Sequence, residues 1–413
     1  MTDQLKVDQI KYVKELYPRL KPDDEAIERY RAALGNLPPI VVARDHILVD
    51  GYHRWQAHKR EGVDTIAVED LGNLSDTEIF NESIRRNAAH GQQLSRADKK
   101  SLAAKLWQTL AHLGNAERTS EISSLLAVSE RAVQDWTKDA RADEKKVAQA
   151  KAWDLWLDCH EQKIIAEQLG VSEATISDWF RKRKSAESES EPPESRQHFD
   201  VWSFQTADKD AGSQSYFGAL PPQVVENLLW LYTEPGNTVV DLFAGSGTTI
   251  EVAKAMGRRV WASDIRGDHN APYLPIHQHD AATGWPTDAP KKVDLVVLDP
   301  PYWKQAAGRY STEPGELAEM PLDEFYAAWE NVLNGCKDHA TRVAYIVSPT
   351  QNDDGSVVDH ATDMLRIANA VGMSTERRII VTYQTQQATG QQVEWARENR
   401  RLLKLYRDLV VLR

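Results

Sequence analysis

The stretch NTVVDLFAGSGTTIEVAKAMGRRVWASDI, residues 237–265, constrains the fold more than any other part of the chain. An apolar, β-branched run at 238–242 leads into a glycine turn (Gly245, Gly247). A helix-length segment follows at 248–256 and a second apolar run at 259–263, together one right-handed βαβ step. Such a step commits this part of the chain to a parallel sheet, whose ligands sit at the C-terminal ends of the strands. Gly245 and Gly247 let the backbone approach a ligand closely. A glycine loop alone fits a nicotinamide or flavin site equally well. Here, however, FAGSGTT departs from G-x-G-x-x-G, and two acids fall where strand ends are expected. Asp264 closes the second strand, where it can take both hydroxyls of a ribose. Asp280, in HQHDAAT, falls where the third strand should end and is placed to receive an adenine amine. Together they favour an adenosyl ligand.

The second informative feature is DPPYW, residues 299–303. The run 293–298 before it is too apolar and β-branched for an exposed loop and predicts a buried parallel strand ending at Asp299. Two successive prolines fix φ and remove two backbone donors, which leaves the Pro300 carbonyl turned toward a substrate instead of closing a turn. An exocyclic amine would give one hydrogen to the Asp299 carboxylate and the other to that carbonyl. Holding both turns the nitrogen lone pair out of conjugation and toward an electrophile, which is positioning and electrostatics, not covalent catalysis. Tyr302 offers a flat face for a flipped base. The plainer reading is a strand-ending turn, and the pairing with the glycine motif disfavours it.

DLFAGSGTT followed by DPPYW resembles the amino-methyltransferases that methylate adenine N6 or cytosine N4 of DNA. The resemblance implies that Asp241, Phe243, Gly245, Ser246, Gly247, Asp264 and Asp280 bind S-adenosylmethionine, and that Asp299, Pro300, Pro301 and Tyr302 form the catalytic motif. Segment 216–231, YFGALPPQVVENLLWL, resembles the family's helix along the methionine end of the cofactor. The motif order excludes the branch of the family in which it is reversed. Asp at the first catalytic position favours adenine N6, with cytosine N4 as the alternative. Family members also carry a target-recognition region of substantial length, and the gap 280–299 is too short to hold one. The runs 342–348, 374–384 and 408–413 read as the rest of the sheet. Two insertions remain, the loop 304–320 and the Gln- and Arg-rich arm 384–401, whose Arg397 and Arg400 would meet base edges or phosphates. The arm reads equally as a solvated hairpin and helix.

Recognition has another place in the N-terminal half. Segment 184–197 has the Ser, Glu and Pro content of a flexible linker. Just before it, EQKIIAEQLGVSEATISDWFRKRK, 161–184, has the pattern of a helix-turn-helix. Thr175 and Ser177, with Glu173, Ala174 and Asp178, would face the major groove, and Arg181, Lys182 and Arg183 would meet phosphates. The pattern recurs upstream, where Ile122, Leu126, Ala127, Val133 and Trp136 match Ile165, Leu169, Gly170, Ile176 and Trp179 at a constant offset. Two such units form a tandem reader, or else two helical hairpins packed on each other. Further upstream, LPPIVVARDHILVDGYHRWQAHKREGVDTIAVED, 37–70, resembles the N-terminal domain of ParB-type partition proteins. Gly51, Arg54 and Ala57 match that family's G-x-x-R-x-x-A, which implies nucleotide phosphate binding. A glycine turn feeding a helix N-terminus with an Arg beside it is a sound anion site. Asn87 keeps its place in RRNAAHGQQLS, whereas His90 stands where an Arg is expected, which counts against CTP turnover. A CTP or ATP site and a purely structural or DNA-clamping module both stay open.

Composition limits the rest. At a net charge of −12 the chain is no basic nucleic-acid coat, so contacts with DNA must be local and salt-sensitive. Two isolated cysteines and scattered histidines exclude a disulfide framework and imply no metal. No apolar segment reaches membrane-spanning length and the N-terminus is too polar for a signal peptide, so a cytoplasmic, nucleoid-associated protein is expected. The expected architecture is multidomain. It comprises an α+β ParB/sulfiredoxin-like domain at 1–95, an all-α tandem helix-turn-helix segment at 96–184, a flexible acidic linker at 185–197, and an α/β Rossmann-like, S-adenosylmethionine-dependent methyltransferase at 198–413. Double-stranded DNA is the expected partner, with no membrane and with a homodimer as a further expectation. The expected activity is adenine-N6 methylation of a flipped base. The alternatives are cytosine-N4 methylation, an RNA or free-nucleotide methyltransferase, and a ParB-like regulator with an inactive methyltransferase domain.

Overall fold

The computed structural model describes residues 3–19, 21–89, 94–187, 192–204, 220–267, 274–304, 317–352, 356–382 and 389–413. The chain forms two compact units, Met1–Val147 and Ala148–Arg413.

The first unit opens with a four-stranded sheet in the order β1-β4-β2-β3, from β1 (Asp3–Lys6), β2 (Ile40–Ala43), β3 (Ile47–Asp50) and β4 (Thr65–Asp70). Helices α1 (Asp24–Arg31), α2 (Tyr52–Glu61) and α3 (Asp76–Ala89) accompany it. The apolar runs IVVA and ILV are buried on both faces. Ile40, Val42 and Leu48 pack with Trp55 of α2 on one side, and Val41, Val49 and Ile79 of α3 pack on the other. Helices α4 (Arg96–Thr109), α5 (Asn115–Leu126) and α6 (Glu130–Trp136) complete the unit. Helix α7 (Lys138–Leu157) runs through the division into the second unit, which continues with α8 (Gln162–Leu169) and α9 (Glu173–Glu187).

The repeat seen in the sequence is also a repeat of structure. In each hairpin a left-handed residue ends the first helix, Ala127 (φ 48°) after α5 and Gly170 (φ 63°) after α8. In each a serine then caps the second helix, Ser129 accepting from the Ala132 amide and Ser172 from the Thr175 amide. Ile122 with Val133, and Ile165 with Ile176, are fully buried. The first hairpin packs with Leu102, Leu106 and Trp107 of α4, the second with Trp153 and Trp156 of α7. The compact units therefore part within α7 and not in the 185–197 stretch, whose residues 188–191 lie outside the described ones. The second hairpin belongs with the C-terminal unit.

That unit is built on an eight-stranded sheet in the order β5-β13-β14-β10-β9-β6-β7-β8. Its strands are β5 (Val201–Trp202), β6 (Thr238–Asp241), β7 (Arg259–Asp264), β8 (Ile276–Gln278), β9 (Leu295–Leu298), β10 (Val343–Val347), β13 (Thr375–Thr382) and β14 (Tyr406–Leu412), and a small hairpin supplies β11 (Thr350–Gln351) and β12 (Val357–Val358). In the large sheet only β14 runs against its neighbours, β10 and β13. Helices α10 (Pro222–Tyr232) and α11 (Thr248–Ala255) cover one face, α12 (Leu322–Lys337) and α13 (His360–Ala370) the other, and α14 (Gly390–Glu398) precedes β14. Side chains alternate between the two cores. Val240, Val296, Leu298 and Tyr345 enter one, and Val239, Leu295, Val297 and Ala344 the other. Two-sided burial is why these strands read as unbroken apolar runs.

Candidate active site

Parallel register gathers the motifs on one edge of the large sheet. Asp241 pairs with Ala262 of β7 and with Val297 of β9, so the acids Asp241, Asp264 and Asp299 emerge side by side at the strand ends. Gly245 (φ 51°) and Gly247 (φ 85°) take left-handed backbone between β6 and α11. A Cβ on Gly247 would come within 2.2 Å of Leu274. The Gly245 amide donates to the Asp264 carboxylate at 3.1 Å, and the Phe243 amide donates to Asp241 at 2.9 Å. Arg266 meets Asp264 through its amide (3.1 Å) and its guanidinium (3.4 Å). Ser246 is buried and Phe243 half-buried against the α12 side of the core. Asp280 accepts from the Ala282 amide at 3.0 Å and caps the short turn that follows β8.

Burial raises two of these acids. Asp241 is pushed up to about 7 by desolvation, with the hydrogen bonds from Thr249 and the Phe243 amide pulling the other way. Asp299 is pushed up to about 6 by desolvation, with Arg407 and the Tyr302 hydroxyl opposing. The Tyr302 hydroxyl donates to Asp299 Oδ1 at 2.9 Å, and Arg407 Nη1 donates to that hydroxyl at 3.4 Å. The Tyr302 ring is only 9% exposed and packs with Trp202 and Val297 on the α10 side of the sheet. The open stacking face expected of Tyr302 is thus turned inward in this state. Pro300 is buried and Pro301 half-buried at the same strand end.

The next residue is tied more widely. Trp303 donates its indole N–H to the Met320 carbonyl at 2.8 Å, and Thr350 donates to the Trp303 carbonyl at 3.0 Å. His360, fully buried and pushed down to about 4 by burial, bridges Thr350 and Tyr326, each at 3.0 Å. The Tyr326 hydroxyl also lies 3.0 Å from the Asp363 carboxylate.

Sequence reasoning missed Arg407 and Lys404. Both belong to the segment that enters β14, and Lys404 donates to the Pro349 carbonyl at 3.1 Å. Burial and the neighbouring Arg407 lower Lys404 to about 8. The one available signal was a charged pair, Arg407-Asp408, opening a strand that is otherwise fully apolar.

The other expected residues fall elsewhere. On α9, Ser177 is exposed and donates to Gln162 at 2.6 Å, Thr175 is half-buried, Arg181 and Lys182 are exposed and pair with Asp178, and Arg183 lies 4.7 Å from the Trp153 ring. Arg397 and Arg400 are exposed on and just after α14. Parts of three expected segments, 216–219, 305–316 and 384–388, lie outside the described residues, as does His90. In the first unit Gly51 (φ 100°) starts α2 beside a pocket lined by Tyr17, Arg19, Asp50, His53, Arg54 and Asn87. Arg54 is held there by Asp50 at 2.8 Å and by the Pro38 and Pro39 carbonyls, while Asn87 donates to the Ser83 carbonyl. No group of three or more potential metal-ligating side chains occurs among the described residues. Among them, no helix is long and apolar enough to cross a membrane.

Residues 131–270 match the N6_N4_Mtase family of DNA methylases. The matched span runs from α6 through the second hairpin to the glycine loop and Asp264, and stops short of DPPYW. Solved structures that the chain resembles include a Pnob8-like ParB N-domain, at 14% identity over 33% of this chain and 68% of that one with a TM-score of 0.27. A second is the C-terminally truncated partition protein ParB of Caulobacter crescentus, complexed to its centromeric site, at 18% identity over 44% of this chain and all of that one (TM-score 0.26). A third is an S-adenosylmethionine-dependent methyltransferase of Archaeoglobus fulgidus, at 14% identity over 46% of this chain and 93% of that one (TM-score 0.29). At these scores the likenesses add nothing to the strand order and register described above. No curated protein matches the chain.

Proposed function

We propose that the C-terminal unit is a DNA methyltransferase acting on adenine N6 of a flipped base, with S-adenosylmethionine as donor. The observation that carries this reading is the meeting of three acids and a left-handed glycine loop on one strand edge, with the amine-binding Asp299 two strands from the nucleoside-binding Asp264. The site fits the cofactor. Gly245 and Gly247 take left-handed backbone that lets main chain approach a ligand, Asp264 ends β7, and Asp280 caps the turn after β8, where ribose and adenine would lie. Asp241 stiffens the loop by accepting from Phe243. When bound, S-adenosylmethionine supplies an electrophilic methyl group on a sulfonium.

The residues of the chain do the rest. Asp299 accepts one amine hydrogen and the Pro300 carbonyl the other, and the nitrogen lone pair is left facing the donor. Transfer would break the donor's sulfur–methyl bond, leaving a thioether, and the methylated nitrogen would shed one proton to Asp299, which at a pKa of about 6 is ionised at neutral pH yet readily protonated. Base entry competes with the Tyr302 hydroxyl for Asp299 Oδ1, and breaking that bond frees the ring to turn out and stack on the base. The helical hairpins, with Thr175, Ser177, Arg181, Lys182 and Arg183 on the second, hold duplex DNA. Arg397 and Arg400 add contacts beside the sheet. A nucleotide at Gly51 and Arg54 is a further proposal, and it requires Arg54 to leave Asp50.

The test is incubation with labelled S-adenosylmethionine and duplexes lacking adenine or lacking cytosine, followed by mass identification of the modified nucleoside. N6-methyladenine is the expected product. N4-methylcytosine would move the base assignment alone, and unlabelled DNA with cofactor binding intact would refute the reading. Asp299→Ala should abolish transfer and keep cofactor binding.

A further inference from the structure

The two prolines of DPPYW leave the turn short of bonds of its own. Pro300 and Pro301 carry no amide hydrogen, so neither can donate to a neighbouring strand. The turn is held at its two ends. Before it, Leu298 pairs in parallel with Tyr345 of β10. After it, Trp303 donates its indole N–H to the Met320 carbonyl, and the Lys304 amide donates to the Ala318 carbonyl at 2.9 Å. The Trp303 carbonyl is fixed by a side chain, the Thr350 hydroxyl at 3.0 Å. Between these ends lie Asp299 to Tyr302, and the prolines lock φ at two of those positions. The direction of the Pro300 carbonyl therefore depends on how firmly the Trp303 end is held.

Counting hydrogens on Thr350 gives the direction of the bonds behind it. A threonine hydroxyl has one hydrogen and a carbonyl can only accept, so that hydrogen goes to Trp303. His360 Nε2, 3.0 Å from the same hydroxyl, must then be a donor. His360 is fully buried at the start of α13, and burial lowers its pKa to about 4, so the ring is neutral and carries one N–H. With that hydrogen on Nε2, Nδ1 accepts from the Tyr326 hydroxyl at 3.0 Å. Tyr326 then has no second hydrogen for Asp363, whose other carboxylate oxygen accepts from Arg366 at 2.9 Å. The chain from Tyr326 through His360 and Thr350 thus runs toward the Trp303 carbonyl. A neutral ring with its hydrogen on Nδ1 would run the chain toward Asp363 and take the Thr350 hydrogen away from Trp303. Resting on the methyltransferase reading, we propose that Thr350 and His360 are positioning residues. Through the Nε2–H form of His360 they hold the Trp303 end of the turn, and with it the Pro300 carbonyl that takes one amine hydrogen.

The plainer role is packing, since the His360 ring also sits against the rings of Trp303, Phe325 and Tyr326. Conservative variants of the full chain separate the two roles, with single-turnover methylation of duplex DNA and affinity for S-adenosylmethionine as paired readouts. Thr350→Val keeps the shape and loses the hydroxyl, and His360→Asn carries an amide only as far as the Nδ1 position. Each should lower the transfer rate at least about tenfold, the scale on which a loosened reacting group is felt, and leave cofactor affinity within about twofold. Thr350→Ser restores the hydroxyl and His360→Gln an amide donor where Nε2 lies, and both should bring the rate back to within about threefold of the parent. Thr350→Val transferring at the parent's rate would overturn the proposal, as would rate and cofactor affinity falling together. The ring-nitrogen NMR signals of His360, assigned by their loss in His360→Gln and recorded without DNA or cofactor, should show the hydrogen on Nε2. A hydrogen on Nδ1 would overturn the proposal whatever the rates. A parent that methylates no DNA would refute the methyltransferase reading, and the ring signals alone would then decide the direction of the chain.

Discussion

At the scale of single residues, the strand edge that carries Asp241 and Asp299 is governed by desolvation, which raises both acids. Desolvation raises Asp299 to about 6, and Arg407 and the Tyr302 hydroxyl offset part of that rise. Tyr302→Phe should move the acid limb of the methylation rate above pH 6, and Arg407→Met should move it further, since Arg407 exerts the larger of the two effects. A pH–rate profile in single turnover reads both shifts, and an unmoved limb in Arg407→Met would separate Arg407 from Asp299. Asp241 makes a prediction about stability. Its folded pKa of about 7 lies above the unfolded value of 3.8, so the folded state binds the proton more tightly. The cost of ionising it in place is absent below about pH 4, grows through the interval and is complete above about pH 7. Asp241→Asn, which keeps an acceptor for the Phe243 amide, should therefore raise the melting temperature at pH 8 and lose that advantage near pH 4. Equal melting shifts at both pH values would contradict the assignment.

At the scale of elements, the two hairpins differ at one informative position. Ala127 adopts a backbone that costs an L-residue about 1–2 kcal/mol, and Gly170 adopts it freely. Nothing lies within 4 Å of a Cβ built on Gly170, so Gly170→Ala should cost about 1 kcal/mol from backbone strain alone. Ala127→Gly should stabilise the first hairpin by a similar amount, as measured by denaturant unfolding. These elements were legible in the sequence. The constant offset from Ile122 to Ile165 and the unbroken apolar runs of VDLVVLD and TVVD carried the hairpins and the central strands, because periodicity and two-sided burial are written locally. Asp241, Asp264 and Asp299 could be placed on one edge because strand order in a βαβ fold follows from few rules. Arg407 could not. Its nearness to Asp299 depends on β14 inserting against β10, a pairing between segments far apart in the chain that no local pattern encodes. The inward turn of Tyr302 was hidden for a similar reason, since it depends on a hydroxyl partner and a packing site that the motif does not contain.

At the scale of the whole molecule, the parting of the compact units within α7 changes where the chain should be cut. A fragment starting at Ala148 keeps Trp153, Trp156 and Phe180 together with Arg259 and Lys254, whereas one starting at Ser185 removes the ring on which Arg259 rests. The longer fragment should melt several degrees higher and keep cofactor binding, and calorimetry of the two fragments checks this. Equal melting temperatures would mean that the hairpin adds nothing to the fold it is docked on. Strand β14 carries a consequence of another kind. It lies between β10 and β13 and brings Arg407 to Asp299, yet every other strand of the sheet leaves the ribosome before it. A nascent chain can therefore assemble its glycine loop and DPPYW before Arg407, the cation that lowers the Asp299 pKa, arrives. On the proposed reading, methyl transfer would thus wait for translation to pass the last strand of the sheet.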